Sequence, residues 1–220
     1  MFTPRSESTG NASIMQSATM SEGRPSERLV ELSARMDEFE GYSRPHGARI
    51  ASIAEAIATH FNLASDDRTF LKQAAYLHDI GEVIMGREYI SAFRTLSQDE
   101  RLDVQRHPVI GEQEIARLGL TRGVQLLVRW HHEWWNGSGY PDGLEGEQIP
   151  LAARILRVAD CYASLTGSRP FRTAYTVDEA RKYLAEWAAI EFDPRIARVM
   201  LDLDLAEAVE DFSVSVEQEN

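Results

Sequence analysis

Five groups of histidine and aspartate residues along this chain carry side chains that bind transition metals. They use five of the six histidines, and they are His46, His78 with Asp79, His107, His131 with His132, and Asp160. Imidazole nitrogens and carboxylate oxygens suit Fe, Mn, Zn or Ni, and one carboxylate can bridge two ions. A chain that places its histidines in this way is expected to build a two-metal hydrolytic centre.

Each of these groups is a weak signal when it is taken alone. An adjacent His-Asp pair is usually a satisfied core histidine beside a solvated carboxylate. The pair His131-His132 is more informative, because two imidazoles in contact repel each other when protonated and are more stable as neutral ligands. Asp160 follows the apolar run RILRVA, where an unpaired carboxylate would be costly. In this order along one chain, the groups together favour a shared site.

The elements that must position these residues are predicted to be helices. Hydrophobic residues recur at helical spacing from Pro25 onward, for example at Ile50, Ile53 and Ile57. Ser65-Asp66 can cap a helix that carries His78 and ends near Gly81. Further helices are predicted at roughly 97–105, 108–118, 121–133, 151–166, 176–189 and 194–209, with Pro108, Pro150 and Pro194 in first turns. A glycine-rich loop over residues 134–148 separates two of them.

The predicted fold is all-α, with one helical domain over residues 25–210. Residues 1–24 are rich in Ser, Thr, Gly and Asn and are expected to form a disordered tail, and residues 211–220 are expected to form a short C-terminal tail. A chain of 220 residues with 43% hydrophobic content can bury the core of one domain. No alternation of polar and apolar residues is long enough to predict a substantial sheet.

Composition also narrows the classes of partner. A net charge of −12 argues against binding to nucleic-acid polymers, but not against a small phosphorylated ligand, because bound metal ions dominate the local field. The sequence has no apolar run of membrane-spanning length, and no apolar segment after Arg5 that would form a secretory signal. The single cysteine, Cys161, fits a reducing compartment. These features predict a cytoplasmic protein.

Several stretches of the chain resemble the HD-GYP domains within the HD superfamily of metal-dependent phosphohydrolases. They are HGARIA, AAYLHDIGE, HPVIGE, HHEWWNGSGYPDGLEGEQIPLAARILRVAD and SRPFR, which together cover about residues 46–172. The resemblance implies an HD-type helical bundle around a binuclear metal site, often with iron or manganese. It also implies that the ligand is a small cyclic dinucleotide, cyclic di-GMP, which is hydrolysed to pGpG or GMP.

The resemblance further implies metal-binding roles for individual residues. Asp79 would be the catalytic carboxylate that bridges the two metals, with His78 and Asp160 on the first. The second metal would bind the remaining histidines of the site, His107, His131 and His132. His46 matches an early histidine of the family whose assignment is open between the two ions. Tyr42 stands where three-metal members have a Glu, so two ions are expected.

Substrate-binding roles follow from the same resemblance. Tyr140 belongs to the family's Gly-Tyr-Pro motif, and Arg169 and Arg172 match basic positions that contact the ligand's phosphate. Arginine suits this task, because its planar guanidinium binds phosphate oxygens in pairs and keeps its charge. The alternative for the two arginines is a solvated helix end. Aromatic residues near the histidine pair can stack on a guanine base or pack in the core, and these residues are Trp130, Trp134 and Trp135.

Two departures from the family pattern leave alternatives open. Glu82 stands where the family usually has Lys, and Ala163 replaces a second Asp. An anion in place of a phosphate-facing cation should weaken stabilisation of an anionic transition state. One alternative is therefore a degenerate signalling module that binds metal, nucleotide or a partner protein without turnover. Another is an HD phosphohydrolase that acts on a different nucleotide. Regulation is expected to act through a signalling-protein partner or a homodimer.

Overall fold

The structure is a computed structural model that describes residues 20–21, 24–90, 92, 94–168 and 173–203. The described residues form ten α-helices and one 3-10 turn, which confirms the all-α class. The helices are α1 (Glu27–Glu40), α2 (His46–His60), α3 (Ser65–Leu77), α4 (Ile80–Met85), α5 (Gln98–Val104), α6 (His107–Arg117), α7 (Arg122–Trp130), α8 (Leu151–Thr166), α9 (Val177–Glu186) and α10 (Pro194–Asp202). The 3-10 turn spans Gly146–Gln148. An antiparallel pair, β1 (Met20–Ser21) with β2 (Arg24–Pro25), precedes α1.

The core lies where α2 packs against α3 and α8. The predicted apolar face of α2 is buried, with Ile50, Ile53 and Ile57 all fully inaccessible to solvent. Leu71 and Leu77 of α3 are equally buried. Burial of one such side chain contributes about 1.5–3 kcal/mol to the free energy of folding. The packed core of these three helices therefore fixes the positions of the helix ends that carry the candidate site.

The polypeptide turns at His78 and Asp79, where the sequence predicted a helix that continued toward Gly81. α3 ends at Leu77, and α4 begins at Ile80. α4 then packs closely on α6, since a Cβ added at Gly81 would lie 2.0 Å from the His107 carbonyl oxygen. The predicted cap is also wrong, because Ala64 occupies the N-cap position and Ser65 is already helical.

Other helix bounds agree with the sequence to different degrees. α8 spans the predicted residues 151–166. α7 was expected to reach residue 133 but ends at Trp130, so the histidine pair lies in the turn that follows. Pro194 opens α10 and Pro108 is the second residue of α6, whereas Pro150 is the N-cap of α8.

Some sequence-based predictions concern residues beyond those that the structure describes. They are the tail over residues 1–19 and 22–23 and the tail over residues 211–220. The last helix was predicted over residues 194–209, but α10 ends at Asp202, because the backbone of Leu203 is extended. Among the described residues, no helix is both long enough and apolar enough to cross a lipid bilayer.

Candidate metal centre

All seven predicted metal-binding residues lie together at one end of the core. They form two groups, and within each group the nearest ligand atoms lie within 4.8 Å of one another. One group contains Asp79, His107, His131 and His132, and the other contains His46, His78 and Asp160. The 5.3 Å between the ring centroids of His78 and His131 shows that the two groups adjoin. Residues separated by more than 100 positions therefore meet in one cluster.

Helix ends supply most of these side chains. His46 is the first residue of α2, and the Asp37 carboxylate accepts hydrogen bonds from the backbone N–H groups of His46 (3.0 Å) and Gly47 (3.4 Å). His107 is the first residue of α6. Side chains at helix ends can converge from several directions, as side chains along a single helix cannot.

Three of the histidines are fixed through Nδ1. In each, Nδ1 donates to the backbone carbonyl three residues earlier: His78 to Ala75 (3.2 Å), His107 to Val104 (2.8 Å) and His131 to Val128 (2.7 Å). A carbonyl oxygen only accepts, so in the neutral form of each ring the single proton lies on Nδ1. Their Nε2 lone pairs are then available to a cation, as in protein metal sites whose ligand histidines are oriented by backbone carbonyls.

Asp79 lies where these three rings converge. Its Oδ2 is 2.9 Å from Nε2 of His78. Its Oδ1 is 3.1 Å from Nε2 of His107 and 3.4 Å from Nε2 of His131. The two oxygens therefore face different histidines, which is the arrangement that a bridging carboxylate needs.

The electrostatics of the cluster fit a divalent cation. Burial disfavours the charged form of His78, but Asp79 and Asp160 outweigh it and raise the pKa of His78 to about 10. Burial would raise the pKa of Asp79, but the neighbouring histidines hold that pKa well below its usual range. His78 Nε2 and Asp79 Oδ1 are buried without a hydrogen-bond partner of good geometry among the described residues. A bound cation would neutralise the charged carboxylate and would give the unsatisfied buried atoms a partner.

Asp160 joins the second group from the middle of α8. Its Oδ1 is 3.7 Å from Nε2 of His46 and 3.8 Å from Nε2 of His78. The Tyr42 ring stacks on His46 with 3.8 Å between ring centroids, and its hydroxyl lies 3.1 Å from Ser164 Oγ. Tyr42 thus packs against a candidate ligand and offers no carboxylate of its own.

A third acidic group, which the sequence did not reveal in full, lies beside these two. It consists of Glu40, Asp79 and Glu82. Glu82 lines the same cavity as Asp79. Glu40, on the buried face of α1, was missed because a glutamate in an amphipathic helix is ordinarily a solvated residue.

The centre opens into a cavity of about 350 Å³. Arg157, one helical turn before Asp160, lines this cavity and was not predicted as a site residue. Its Nη1 lies 3.1 Å from Nδ1 of His132 and 3.4 Å from Oδ2 of Asp160, and its Nη2 donates to the buried Glu191. The three-residue spacing to Asp160 is the one signal in the sequence that could have identified it.

The glycine-rich loop is held by a buried carboxylate. Glu133, only 2% exposed, accepts hydrogen bonds from the N–H groups of Asp142 (2.7 Å), Gly143 (3.1 Å) and Leu144 (3.0 Å). The loop also passes close to its own start, because a Cβ added at Gly139 would lie 2.3 Å from the backbone nitrogen of Trp134. Only glycine fits there.

This loop places Tyr140 against the histidines. The Tyr140 ring stacks on His132 with 4.8 Å between centroids, and its backbone N–H donates to the His132 carbonyl at 3.1 Å. The Tyr140–Pro141 peptide bond is cis. Burial raises the pKa of the Tyr140 hydroxyl, so it stays protonated and can donate a hydrogen bond beside the cluster.

The tryptophans near the histidine pair have partners within the protein. Trp130 Nε1 donates to Asp142 at 2.7 Å. The Trp134 ring packs edge-on against the Trp187 ring, with 5.8 Å between their centroids. Trp135 lies under the guanidinium of Arg154 at 5.5 Å. These contacts favour packing over base stacking.

The remaining predicted site residues are Arg169 and Arg172, which lie outside the described residues. Their roles in substrate binding stay predictions. Cys161 lines the cavity but belongs to none of the candidate ligand groups. His60, the sixth histidine, is exposed at the end of α2 and belongs to none of the candidate ligand groups.

Comparison with known proteins adds the family context. A family model described as HD domain matches residues 7–196. A cyclic di-GMP phosphodiesterase response regulator, RpfG of Xanthomonas campestris, is 34% identical over 191 residues, which are 86% of this chain and 50% of that protein. The chain thus spans about half the length of this curated relative.

Two solved structures share the fold. A cyclic GMP-AMP specific phosphodiesterase of Vibrio cholerae superposes with a TM-score of 0.69 at 19% identity, over 86% of this chain and 51% of that one. An HDG"Y"P protein of Bdellovibrio bacteriovorus superposes with a TM-score of 0.60 at 20% identity, over 72% and 51% of the two chains.

Proposed function

Because this chain belongs to the HD domain family and its resemblance to HD-GYP proteins is confirmed, we propose that it is a metal-dependent cyclic-dinucleotide phosphodiesterase. Its substrate is cyclic di-GMP, which it hydrolyses to pGpG or GMP. The observation that carries the proposal is the convergence of all seven predicted ligands beside one cavity. The name of the Xanthomonas relative supports the same substrate.

The HD domain implies a divalent-cation site, and the described residues offer candidate ligands for one. We propose two ions, iron or manganese. A third site of the family's type needs a Glu at the position of Tyr42, and tyrosine has no carboxylate. Asp79 would contact both ions. His78, Asp160 and His46 would hold one of them, and the other would be held by His107, His131 and His132. When bound, such a pair stabilises negative charge on a transferring phosphoryl group and lowers the pKa of water.

The chain's own residues prepare this site before any ligand arrives. Burial lowers the pKa of His131. Burial, the neighbouring His131 ring and the Arg157 cation together hold the pKa of His132 well below its usual value, because each opposes its protonation. Both rings therefore stay neutral at physiological pH, as ligand imidazoles must. The protonated Tyr140 hydroxyl can orient the substrate by donating to it. A regulatory protein partner, a homodimer and a cytoplasmic location stay predictions from the sequence.

The direct test is hydrolysis by manganese-loaded or anaerobically iron-loaded protein. Cyclic di-GMP should be converted to pGpG or GMP, resolved by chromatography, and the conversion should stop when a chelator removes the metal. 3'3'-cGAMP is the comparison substrate, because one structural neighbour is specific for cyclic GMP-AMP. Absence of products from both dinucleotides at full metal occupancy would refute the proposal.

The acidic wall of the cavity favours a second candidate. Glu40 and Glu82 lie beside Asp79, and their negative charges oppose an anionic transition state. A module that binds metal and nucleotide without turnover would tolerate such a wall. It would be recognised by cyclic di-GMP binding in calorimetry without any product in the chromatographic assay.

A further inference from the structure

We propose that Arg157 binds a phosphate of the substrate. It would supply the positive charge that is missing because Glu82 stands where the family usually has Lys. The inference rests on the proposed function of the same cavity and deepens it. The cation comes from α8, whereas Asp79 precedes α4 and Glu82 lies within α4.

The charge distribution in the cavity is the first argument. Four carboxylates line it, from Glu40, Asp79, Glu82 and Asp160. Among the described lining residues, Arg157 is the only lysine or arginine. Beside the proposed metal ions, a further positive group strengthens the binding of an anionic ligand at this wall, and a guanidinium keeps its charge at every physiological pH.

The way Arg157 is held is the second argument. Nη2 donates to Glu191, which is 3% exposed. The Tyr183 hydroxyl donates to the other oxygen of Glu191 at 3.3 Å. The Glu191 backbone carbonyl accepts from the N–H of Trp135 at 3.1 Å, which ties this anchor to the glycine-rich loop. The guanidinium of Arg157 is thus fixed through Nη2. A fixed side chain loses less conformational entropy when its other edge, at Nη1, binds a ligand.

The other edge has only weak partners. Nη1 lies 3.1 Å from Nδ1 of His132 and 3.4 Å from Oδ2 of Asp160. The first is a neutral ring nitrogen, and the second distance exceeds that of a charge-assisted hydrogen bond, about 2.7–2.9 Å. A phosphate oxygen is a stronger acceptor than either. Since both contacts are candidate metal ligands, an anion that approaches them also approaches Nη1.

The experiment compares manganese-loaded wild type with Arg157→Met. It measures the affinity for inorganic phosphate and for manganese by calorimetry, and kcat/KM for cyclic di-GMP. Arg157→Met leaves Glu191 without its partner, so Arg157→Met/Glu191→Gln is the second variant, in which the buried charge is also removed. The matched control is Arg154→Met, which removes a buried arginine of the same helix that pairs with Asp193 away from the cavity.

We expect both Arg157 variants to bind phosphate at least about tenfold more weakly and to lose about 100-fold in kcat/KM, the scale of removing one transition-state donor. Manganese affinity should be unchanged or higher, because a nearby positive charge is gone. The control should match wild type in phosphate affinity. This combination separates phosphate binding from a purely structural role, which would lower manganese affinity.

Phosphate affinity within twofold of wild type in both variants would overturn the inference, as would no phosphate binding by wild type. A loss of manganese affinity that accounts for the whole effect would instead make Arg157 a positioning residue for Asp160 and His132. If wild type does not hydrolyse cyclic di-GMP, the proposed function fails. The phosphate measurement still decides the role of Arg157.

Discussion

Replacing Asp79 with alanine should abolish metal binding and hydrolysis together. The two oxygens of Asp79 face different histidines, at 2.9 Å from His78 and 3.1 Å from His107, so its removal withdraws a ligand from both proposed ions. Loss of a supporting residue around a metal typically costs about 10–100-fold. Loss of a shared ligand should cost more, and we expect turnover to fall by at least about 1,000-fold, a little over 4 kcal/mol.

The Asp79 experiment measures elemental metal content and turnover on the same preparations. Asp79→Asn is a second variant of nearly the same shape, which separates loss of charge from a packing defect. His60→Ala is the matched control, because His60 is exposed and apart from the cluster. Full metal content in Asp79→Ala would show that the bridging assignment is wrong.

Replacing Glu82 with lysine should raise phosphodiesterase activity or cyclic-dinucleotide affinity by about tenfold, since the change turns a repulsive charge into an attractive one near a partly buried phosphate. Glu82 lines the same cavity as Asp79, and its Oε1 lies 3.9 Å from Nδ1 of His107. The new ammonium group would also offset the charge of Glu40. Turnover and metal stoichiometry are measured on the same variant.

Glu147→Lys is the control for the charge change itself, because Glu147 is 74% exposed on the surface. A fall in both metal content and activity in Glu82→Lys would mean that Glu82 is itself a metal ligand, in the acidic group with Glu40. No change in either quantity would contradict the account of Glu82 as a charge that opposes the substrate.

Local sequence signals predicted individual helices well and missed the break between α3 and α4. The bounds of α8 follow from Pro150 and a continuous apolar face, and they agree with the structure. The break at His78 and Asp79 depends on packing of Gly81 against the backbone of α6. Such a long-range contact has no trace in local helical periodicity, so the sequence predicted a longer α3.

In the candidate site, too, some residues could be predicted from the sequence and others could not. Its histidines and aspartates could be predicted, because five of the six histidines fall in one ordered set with Asp79 and Asp160, and this set resembles the HD-GYP pattern. Glu191, Glu133 and Glu40 could not, since glutamate is common on solvated surfaces and nothing local indicates that these three are buried. Arg157 lies between these cases, because its three-residue spacing from Asp160 was visible although its anchor, Glu191, was not.

The measurement that tests the central claim most directly is the metal content of anaerobically purified protein. The claim is that the described histidines and aspartates form a centre for two divalent cations. Elemental analysis should give about two iron or manganese ions per chain, because the two ligand groups each suffice for one ion. A stoichiometry near three would show that Tyr42 does not limit the site and that the Glu40 group also binds. A stoichiometry near zero, after reconstitution with excess metal, would contradict the account.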